Sequence, residues 1–248
     1  LKLEKKMLKK IISVINQKGG VGKTTTVINL AAGLSMKGKK ILVIDLDPQG
    51  NATSGLGINK ESLDLTTYDL LIGREKINDI IKQIKIADNK KIYICPAADI
   101  ELHDVEHREN ILKNNIDFEE IKDFDFVIID CPPSLSLLSI NALSASNAIL
   151  VPIQCEFYAM EGLVQLNKTI GLVKERINEN LDIEGFVLTM FDSRNNICKT
   201  VVNEVKKFFG DQVMKTIIPK NVKLAESPSF GKCIFNYDKF CLGSKSYM

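Results

Sequence analysis

The chain has 248 residues, and its 33 basic and 31 acidic residues give a formal net charge of +2. A hydrophobic content of 45% with 26% charged residues excludes wholesale disorder. The longest apolar runs are about five residues, which is too short for a transmembrane helix. The near balance of charge neither indicates nor excludes a nucleic-acid partner.

Alternating strand-like and helix-like stretches organise the sequence. Short β-branched apolar runs predict strands at 11–16, 40–46, 92–95, 126–130, 148–153, 185–190 and 213–218. Apolar periodicity predicts helices at 24–36, 161–176 and 200–209. Polar residues 88–120 read as a surface helix and loops, and the last ten residues show no clear pattern. The alternation favours an α/β fold, a mostly parallel twisted sheet of about seven to eight strands with helices on both faces.

The spacing of the cysteines and the first residues of the chain indicate the cellular compartment in which the protein is expected. No two of the six cysteines lie closer than eight residues, so no C-x-x-C pair is present for zinc, iron–sulfur or redox chemistry. We expect reduced cytosolic thiols. The basic first residues lack an apolar core, so no signal peptide is predicted. Residues 1–7 are expected to be a flexible extension, and residues 8–248 a single domain without linkers or repeats.

A glycine-rich loop lies between the first predicted strand and helix, at residues 16–26 (NQKGGVGKTTT). Its glycines allow successive backbone N–H groups to face phosphate oxygens, and the following helix adds the positive end of its dipole. Lys23 is predicted to reach the β- and γ-phosphates, and the Thr24 hydroxyl to hold Mg²⁺. The predicted nucleotide-binding residues here are Lys18, Gly19, Gly20, Val21, Gly22, Lys23, Thr24 and Thr25.

The loop departs from the strict phosphate-loop pattern at one position. The pattern G-x-x-x-x-G-K-[ST] requires glycine where Gln17 stands, and the chain adds a second lysine, Lys18. A flexible turn with a solvated lysine is the structural alternative. The strand–loop–helix context and two acidic motifs further along the chain favour phosphate binding.

Both acidic motifs follow predicted strands. Asp47 ends the stretch D-L-D after the second strand, and Asp130 ends the apolar run before Cys131. Because open α/β sheets bind ligands at the carboxyl ends of their strands, both carboxylates are expected beside the phosphate loop. Asp130 fits a Walker B carboxylate that holds Mg²⁺, and Asp47 fits a switch that orients the attacking water and approaches the metal. Helix caps or salt bridges are the alternative roles.

Together these segments resemble the deviant Walker A ATPases, and most closely the ParA/Soj-type partition ATPases. The resemblance rests on K-G-G-V-G-K-T-T, D-L-D-P-Q-G-N-A-T-S-G-L-G, I-I-D-C-P-P-S and I-P-K-N-V-K-L-A-E-S-P-S, and it runs from about Lys10 to Tyr237. It implies a three-layer P-loop NTPase fold, ATP/ADP and Mg²⁺ as ligands, and a homodimer that sandwiches ATP. Lys18 would then reach the partner's nucleotide, Asp47 would support hydrolysis, and Pro219 and Asn221 would contact adenine.

The resemblance also implies partners. ATP-bound dimers of this family bind nonspecific double-stranded DNA, and a ParB-type DNA-binding partner stimulates their slow hydrolysis. Arg194 and Lys223 match the family's DNA-binding positions, with Lys199 and Lys220 as neighbours, while a solvated charged rim is the alternative. Residues 190–248 carry ten basic and five acidic residues, against 23 and 26 before them. A cytoplasmic, nucleoid-associated protein without membrane binding is expected.

Several other signals have weaker support. His103 and His107 form H-x-x-E-H, but no third metal ligand is evident, so a solvated helix face is favoured. The family's C-terminal helix after Tyr237–Asp238 is expected to be shortened or missing, and specific operator binding is not expected. A MinD-like module that acts on a membrane or a protein array is the main alternative function. A small-molecule synthase sharing this loop is the other.

Overall fold

A computed structural model describes residues 10–97, 108–157 and 159–248 of the chain. His103 and His107 lie outside these residues, as does the proposed N-terminal extension, 1–7. The strands are β1 (Lys10–Val14), β2 (Ile41–Asp45), β3 (Lys82–Ala87), β4 (Lys90–Cys95), β5 (Phe126–Asp130), β6 (Ala148–Gln154) and β7 (Asp182–Thr189). They form one seven-stranded sheet in the order β3-β4-β2-β5-β1-β6-β7.

Every pairing in this sheet is parallel except β3 with β4. The central strand β2 is buried along its whole length, and β5 is buried after Phe126, because helices cover both faces. Two apolar clusters lie on opposite faces of the sheet, one centred on Ile44 and Ile129, the other on Val43 and Ile128. This confirms the predicted α/β fold, with seven strands.

Twelve α-helices connect and flank the strands of the described residues. The long ones are α1 (Lys23–Met36), α7 (Leu137–Ala145), α8 (Ala159–Arg176) and α9 (Asn196–Phe209). The short ones are α2 (Asn51–Gly55), α3 (Thr67–Leu71), α4 (Ile77–Ile80), α5 (Ile111–Asn115), α6 (Phe118–Ile121), α10 (Val222–Glu226), α11 (Ile234–Tyr237) and α12 (Leu242–Tyr247). Within the described ranges, no helix has both the length and the apolarity that crossing a bilayer would demand.

Two sequence-based expectations were wrong, and a third, that the C-terminal helix is shortened or missing, is met by a short helix. Residues 213–218 form no strand; only isolated bridges, Phe186 to Val213 and Phe191 to Pro219, extend the sheet beside β7. The stretch 88–120 is not simply a surface element, because Ile111 and Leu112 of α5 are buried in the core. The last ten residues contain α12, whose Gly243 is buried. A short C-terminal helix is therefore present.

Candidate functional site

The carboxyl ends of three adjacent strands meet at one edge of the sheet. In the β2–β5 pairing Asp45 lies beside Asp130, and Val14 at the end of β1 pairs with Asp130 from the other side. The Leu46 amide donates to the Asp130 carbonyl at 3.0 Å, which continues the alignment past the strand ends. The phosphate loop that follows β1 and the predicted carboxylates are thereby placed together.

Glycines let the phosphate loop turn into α1. Gly20 and Gly22 have φ values of 77° and 90°, a left-handed conformation that favours glycine, and Gly22 caps α1 without a side-chain hydrogen bond. The loop is tied to the far side of the sheet, because the Thr189 hydroxyl at the end of β7 donates to the Val21 carbonyl at 2.8 Å. Asn16 anchors its start by donating to the Pro152 carbonyl at 2.8 Å.

The two loop lysines have different surroundings. Lys23 is only 7% exposed, and its ammonium donates to the Lys18 carbonyl at 3.1 Å. Burial lowers the pKa of Lys23, while the nearby Asp130 and Asp47 oppose that shift. The Lys18 side chain is 42% exposed and forms an ion pair with Glu156, just after β6. Lys23 is therefore fixed inside the loop, whereas Lys18 lies at its outer surface.

Asp130 is a fully buried carboxylate without a hydrogen-bond partner. Its exposure is 0%, and neither carboxylate oxygen accepts a hydrogen bond of standard geometry. Burial and the adjacent Asp45 hold its pKa well above the ordinary range, while the Thr24 hydroxyl and Lys23 oppose the rise. A buried carboxylate without a partner is costly, and a cation would remove that cost.

The two aspartates of the D-L-D motif have different surroundings and different hydrogen-bond partners. Asp45 is 0% exposed, and its carboxylate accepts from the Thr53 amide at 2.9 Å and the Thr53 hydroxyl at 2.7 Å. That hydroxyl in turn accepts from the Ala97 amide at 2.9 Å, so Asp45 fastens α2 to the sheet. Burial raises the pKa of Asp45 to about 6. Asp47 instead faces the cavity described next, and its carboxylate accepts from the Gln49 amide at 3.0 Å.

Two cavities adjoin the loop. The phosphate cavity, of about 890 Å³, is lined by Gly19, Gly20, Gly22, Lys23, Thr24, Thr25 and Asp47 together with Asn51, Pro133 and Met190. The base cavity, of about 260 Å³ and mostly apolar, is lined by Pro219, Asn221, Tyr247 and neighbouring residues. Gly22, Thr25 and Met190 line both. Most of the residues predicted to contact phosphate line one cavity, and those predicted to contact adenine line the other. The two cavities adjoin at Gly22, Thr25 and Met190.

Most predicted nucleotide and metal residues are brought together at these cavities. Of the loop residues, Val21 lies beneath the surface at 1% exposure, and Lys18 points away to Glu156. Within the described residues, no group of three or more His, Cys, Asp or Glu could hold a metal by itself. A metal here would have few protein ligands, as suits Mg²⁺ bound largely through phosphates and water.

The predicted DNA-binding residues lie in the loop after β7, in α9 and around the start of α10, and are called the basic surface: Arg194, Lys199, Lys220 and Lys223. The Lys220 amide donates to the Phe191 carbonyl at 2.9 Å, which joins the loop after β7 to the loop before α10. Lys199 lies in the first turn of α9, the helix that follows the loop after β7. Both Lys199 and Lys220 are exposed and form no ion pair with another described residue.

The other two cations of the basic surface are paired with carboxylates. Arg194 makes a bidentate contact with Asp192, with Nε to Oδ1 at 2.9 Å and Nη2 to Oδ2 at 2.8 Å. This contact lowers the pKa of Asp192 well below its usual range. Lys223 pairs with Glu226 at 3.0 Å, and the Tyr237 hydroxyl donates to the same carboxylate at 2.8 Å. Sequence reasoning did not foresee either pairing.

Several residues of the site were missed from sequence. Glu156 was missed because no charge pattern links it to Lys18 across more than a hundred positions. Met190 carries a left-handed φ of 53° between the two cavities, and only its tertiary position reveals a role. Tyr247 was missed because the last ten residues show no clear periodicity of apolar residues. The hydroxyl-bearing Thr53 and the D-L-D spacing could have indicated the structural role of Asp45.

Comparisons with known proteins agree with this geometry. The fold and loop define a P-loop nucleotide-binding protein, and an AAA domain family model matches residues 9–183. The sporulation initiation inhibitor protein Soj of Bacillus subtilis is 49% identical over 246 residues, covering 96% of this chain and 95% of that protein. The chromosome partitioning protein ParA of Myxococcus xanthus is 46% identical, covering 96% and 85%. The chain belongs to the ParA/Soj family of partitioning ATPases.

Solved structures share the whole fold. A putative plasmid partition protein from Borrelia burgdorferi, bound to AMPPNP, is 27% identical with a TM-score of 0.78, covering 97% of this chain and 95% of that one. A cobyrinic acid a,c-diamide synthase from Mycobacterium smegmatis, with bound ATP analog and magnesium, is 30% identical with a TM-score of 0.79, covering 97% and 91%. Both relatives were therefore solved with an ATP analogue.

Proposed function

We propose that residues 8–248 form one Mg²⁺-dependent ATPase domain that dimerises around ATP, binds nonspecific DNA as that dimer, and partitions chromosome or plasmid DNA. Hydrolysis is slow until a ParB-type partner stimulates it, and the resulting monomers leave the DNA. The protein acts in the cytoplasm on the nucleoid. Identities of 49% and 46% to the Bacillus and Myxococcus partition proteins support this assignment.

One observation carries the nucleotide assignment. Asp130 presents two buried oxygens without hydrogen-bond partners near Thr24 and Lys23, the residues that end the glycine-rich loop and begin α1. A buried carboxylate of this kind needs a counter-charge, and the loop supplies backbone donors for phosphate. The set therefore fits Mg²⁺ with a di- or triphosphate. Asp130 and Thr24 would hold the ion, which would neutralise the charge that develops on the phosphates.

Each residue of the site has a separable task in this proposal. The buried Lys23 ammonium binds the β- and γ-phosphate oxygens, and the backbone amides from Gly19 to Gly22 surround them. Asp47 faces the phosphate cavity and orients the attacking water, while α2 keeps its loop in place through Asp45. The base lies in the apolar cavity beside Pro219 and Asn221.

Lys18 supplies the contact between subunits. As a cation placed against the partner's phosphates it would act like an arginine finger. The ion pair with Glu156 holds its ammonium at the outer surface of the loop, so dimerisation must exchange this carboxylate for phosphate oxygens. ATP binding and dimerisation are thereby coupled, because only the nucleotide-loaded partner offers Lys18 a new anion.

A gel-shift experiment tests the proposal. Wild-type protein and Asp47→Ala are mixed with random-sequence duplex DNA, with and without ATP and Mg²⁺. We expect a shift only with ATP, and a longer-lived shift for Asp47→Ala, which binds ATP but turns over poorly. Lys23→Ala is the control that should give no ATP-dependent shift. An equal shift without nucleotide, or none at all, would contradict the DNA-binding part.

Two alternative functions make different predictions from the proposed one. A MinD-like module predicts ATP-dependent binding to anionic vesicles in place of the DNA shift. A small-molecule synthase shares the loop and fold, but the solved synthase is only 30% identical, below the 49% and 46% of the Bacillus and Myxococcus partition proteins. The same gel-shift experiment separates both from a partition ATPase.

A further inference from the structure

The base cavity has a wall that comes from the C-terminal helix. Tyr247 of α12 lines the base cavity of about 260 Å³ on one side. On the other side the same residue lines a second, largely apolar cavity of about 650 Å³ between α1 and the sheet. Ile218 is shared in the same way. Tyr247 and Ile218 therefore lie between the two cavities.

Tyr247 is held in place by a contact with the helix that follows the phosphate loop. Its hydroxyl and the Thr26 hydroxyl of α1 are 3.0 Å apart. Thr26 directly follows Thr25, which lines both the phosphate cavity and the base cavity. The tyrosine ring is therefore fixed relative to the residues that would surround the nucleotide.

Close packing also places α12 between the two elements that form the site. A Cβ atom on Gly33 of α1 would lie 2.8 Å from the Tyr247 carbonyl oxygen. A Cβ atom on Gly243 of α12 would lie 2.6 Å from the side chain of Leu224 in α10. Only glycine allows both approaches. The C-terminal helix is thus packed between α1, which follows the phosphate loop, and α10, which Asn221 caps.

We propose that Tyr247 is a positioning residue for the nucleotide base. The inference rests on the proposed function, because it takes the base cavity as the site of the base. The ring closes that cavity and gives a planar base a surface to pack against; without it, the cavity would open into the larger apolar space. The phosphates contact the loop and not the ring, so the effect is confined to the base.

Titration calorimetry of Mg²⁺–ADP and Mg²⁺–pyrophosphate with the full chain tests this role. ADP is chosen because its binding does not require dimerisation. For Tyr247→Leu and Tyr247→Ala we expect ADP affinity to fall about fivefold to tenfold, as loss of one aromatic contact implies. Pyrophosphate affinity should change by less than about twofold. Tyr247→Phe keeps the ring and should keep most of the preference for ADP.

Tyr237→Ala is the matched control. Tyr237 also lies in the C-terminal segment, but it bonds to Glu226 and does not line the base cavity, so it should leave the ratio of the two affinities unchanged. Equal losses for ADP and pyrophosphate, or no loss of either, would overturn the role of Tyr247. Equal affinity of both ligands for the wild type would instead contradict the base-cavity assignment itself. If Tyr247→Ala fails to fold, Tyr247→Leu decides the question.

Discussion

The carboxylate partners of the basic surface should set the salt dependence of DNA binding. Four cations in each of two subunits would contact eight phosphates, and at about −0.9 per phosphate the slope of log K against log[salt] would be near −7. Arg194 and Lys223, however, already face Asp192 and Glu226. If these carboxylates stay in place, about four phosphates are neutralised and the slope falls to about −4.

Asp192→Asn tests this reasoning directly. The variant removes the bidentate partner of Arg194 in both subunits, so we expect tighter DNA binding and a slope steeper by about two. Asp211→Asn is the matched control, because it removes the same charge from an exposed carboxylate at the opposite end of α9, in the turn Gly210–Gln212. It should raise affinity slightly and leave the slope within about half a unit of wild type.

The measurement is fluorescence anisotropy of a random duplex with ATP and Mg²⁺, over salt concentrations from about 50 to 300 mM. Each variant is combined with Asp47→Ala so that turnover does not deplete the dimer. A wild-type slope near −7 that Asp192→Asn does not change would show that the carboxylates leave on binding. A flat salt dependence in all variants would refute the basic surface.

Further predictions concern the nucleotide site. Lys23→Ala should abolish ATP binding in calorimetry, and retained tight binding would refute the loop assignment. Asp47→Ala should bind ATP and remain a DNA-bound dimer without phosphate release, which a coupled phosphate assay measures. Glu156→Gln should shift ATP-dependent dimerisation to lower protein concentration in sedimentation, by about twofold to thirtyfold, because two Lys18 ion pairs of about 0.2–1 kcal/mol each are no longer lost. Asp130→Asn should abolish hydrolysis yet raise Tm without nucleotide, since removing an unpartnered buried charge returns about 1–3 kcal/mol. Because the pKa of Asp130 is raised, wild-type stability should decline as pH rises from about 4. The decline should be smaller in this variant, where only Asp45 keeps a raised pKa at the sheet edge; an unchanged pH profile would refute the assignment.

Sequence patterns were sufficient for those parts of the site that local chemistry determines. A glycine-rich loop between a buried strand and a helix has few other uses, so the loop and Lys23 were predictable. Asp47 and Asp130 follow apolar strands, and the rule that ligands bind at strand carboxyl ends brought them to the same edge. The parallel sheet itself followed from continuous apolar strands such as Phe126–Asp130.

Features that depend on tertiary contacts were not predictable. The strand β3 was missed because four of its six residues, Lys82, Gln83, Lys85 and Ala87, are polar or small, and it forms the edge of the sheet. The predicted strand at 213–218 is apolar enough, but it makes only one bridge with β7, between Val213 and Phe186, and a few scattered backbone hydrogen bonds. The roles of Glu156 and Tyr247 depend on partners more than a hundred residues away along the chain.

The net charge of the chain is near zero, but charged residues are arranged differently at the sheet edge and at the basic surface. At the sheet edge, Asp45 and Asp130 are adjacent buried carboxylates, an arrangement that is unfavourable until a cation joins them. At the basic surface, Arg194 and Lys223 are matched by carboxylates of their own. Nucleotide binding should therefore contribute strongly to stability, since it neutralises a buried charge. DNA binding through Arg194 and Lys223 should be weak for each contact and readily reversed, as a partition cycle requires, because a phosphate there competes with a carboxylate already in place.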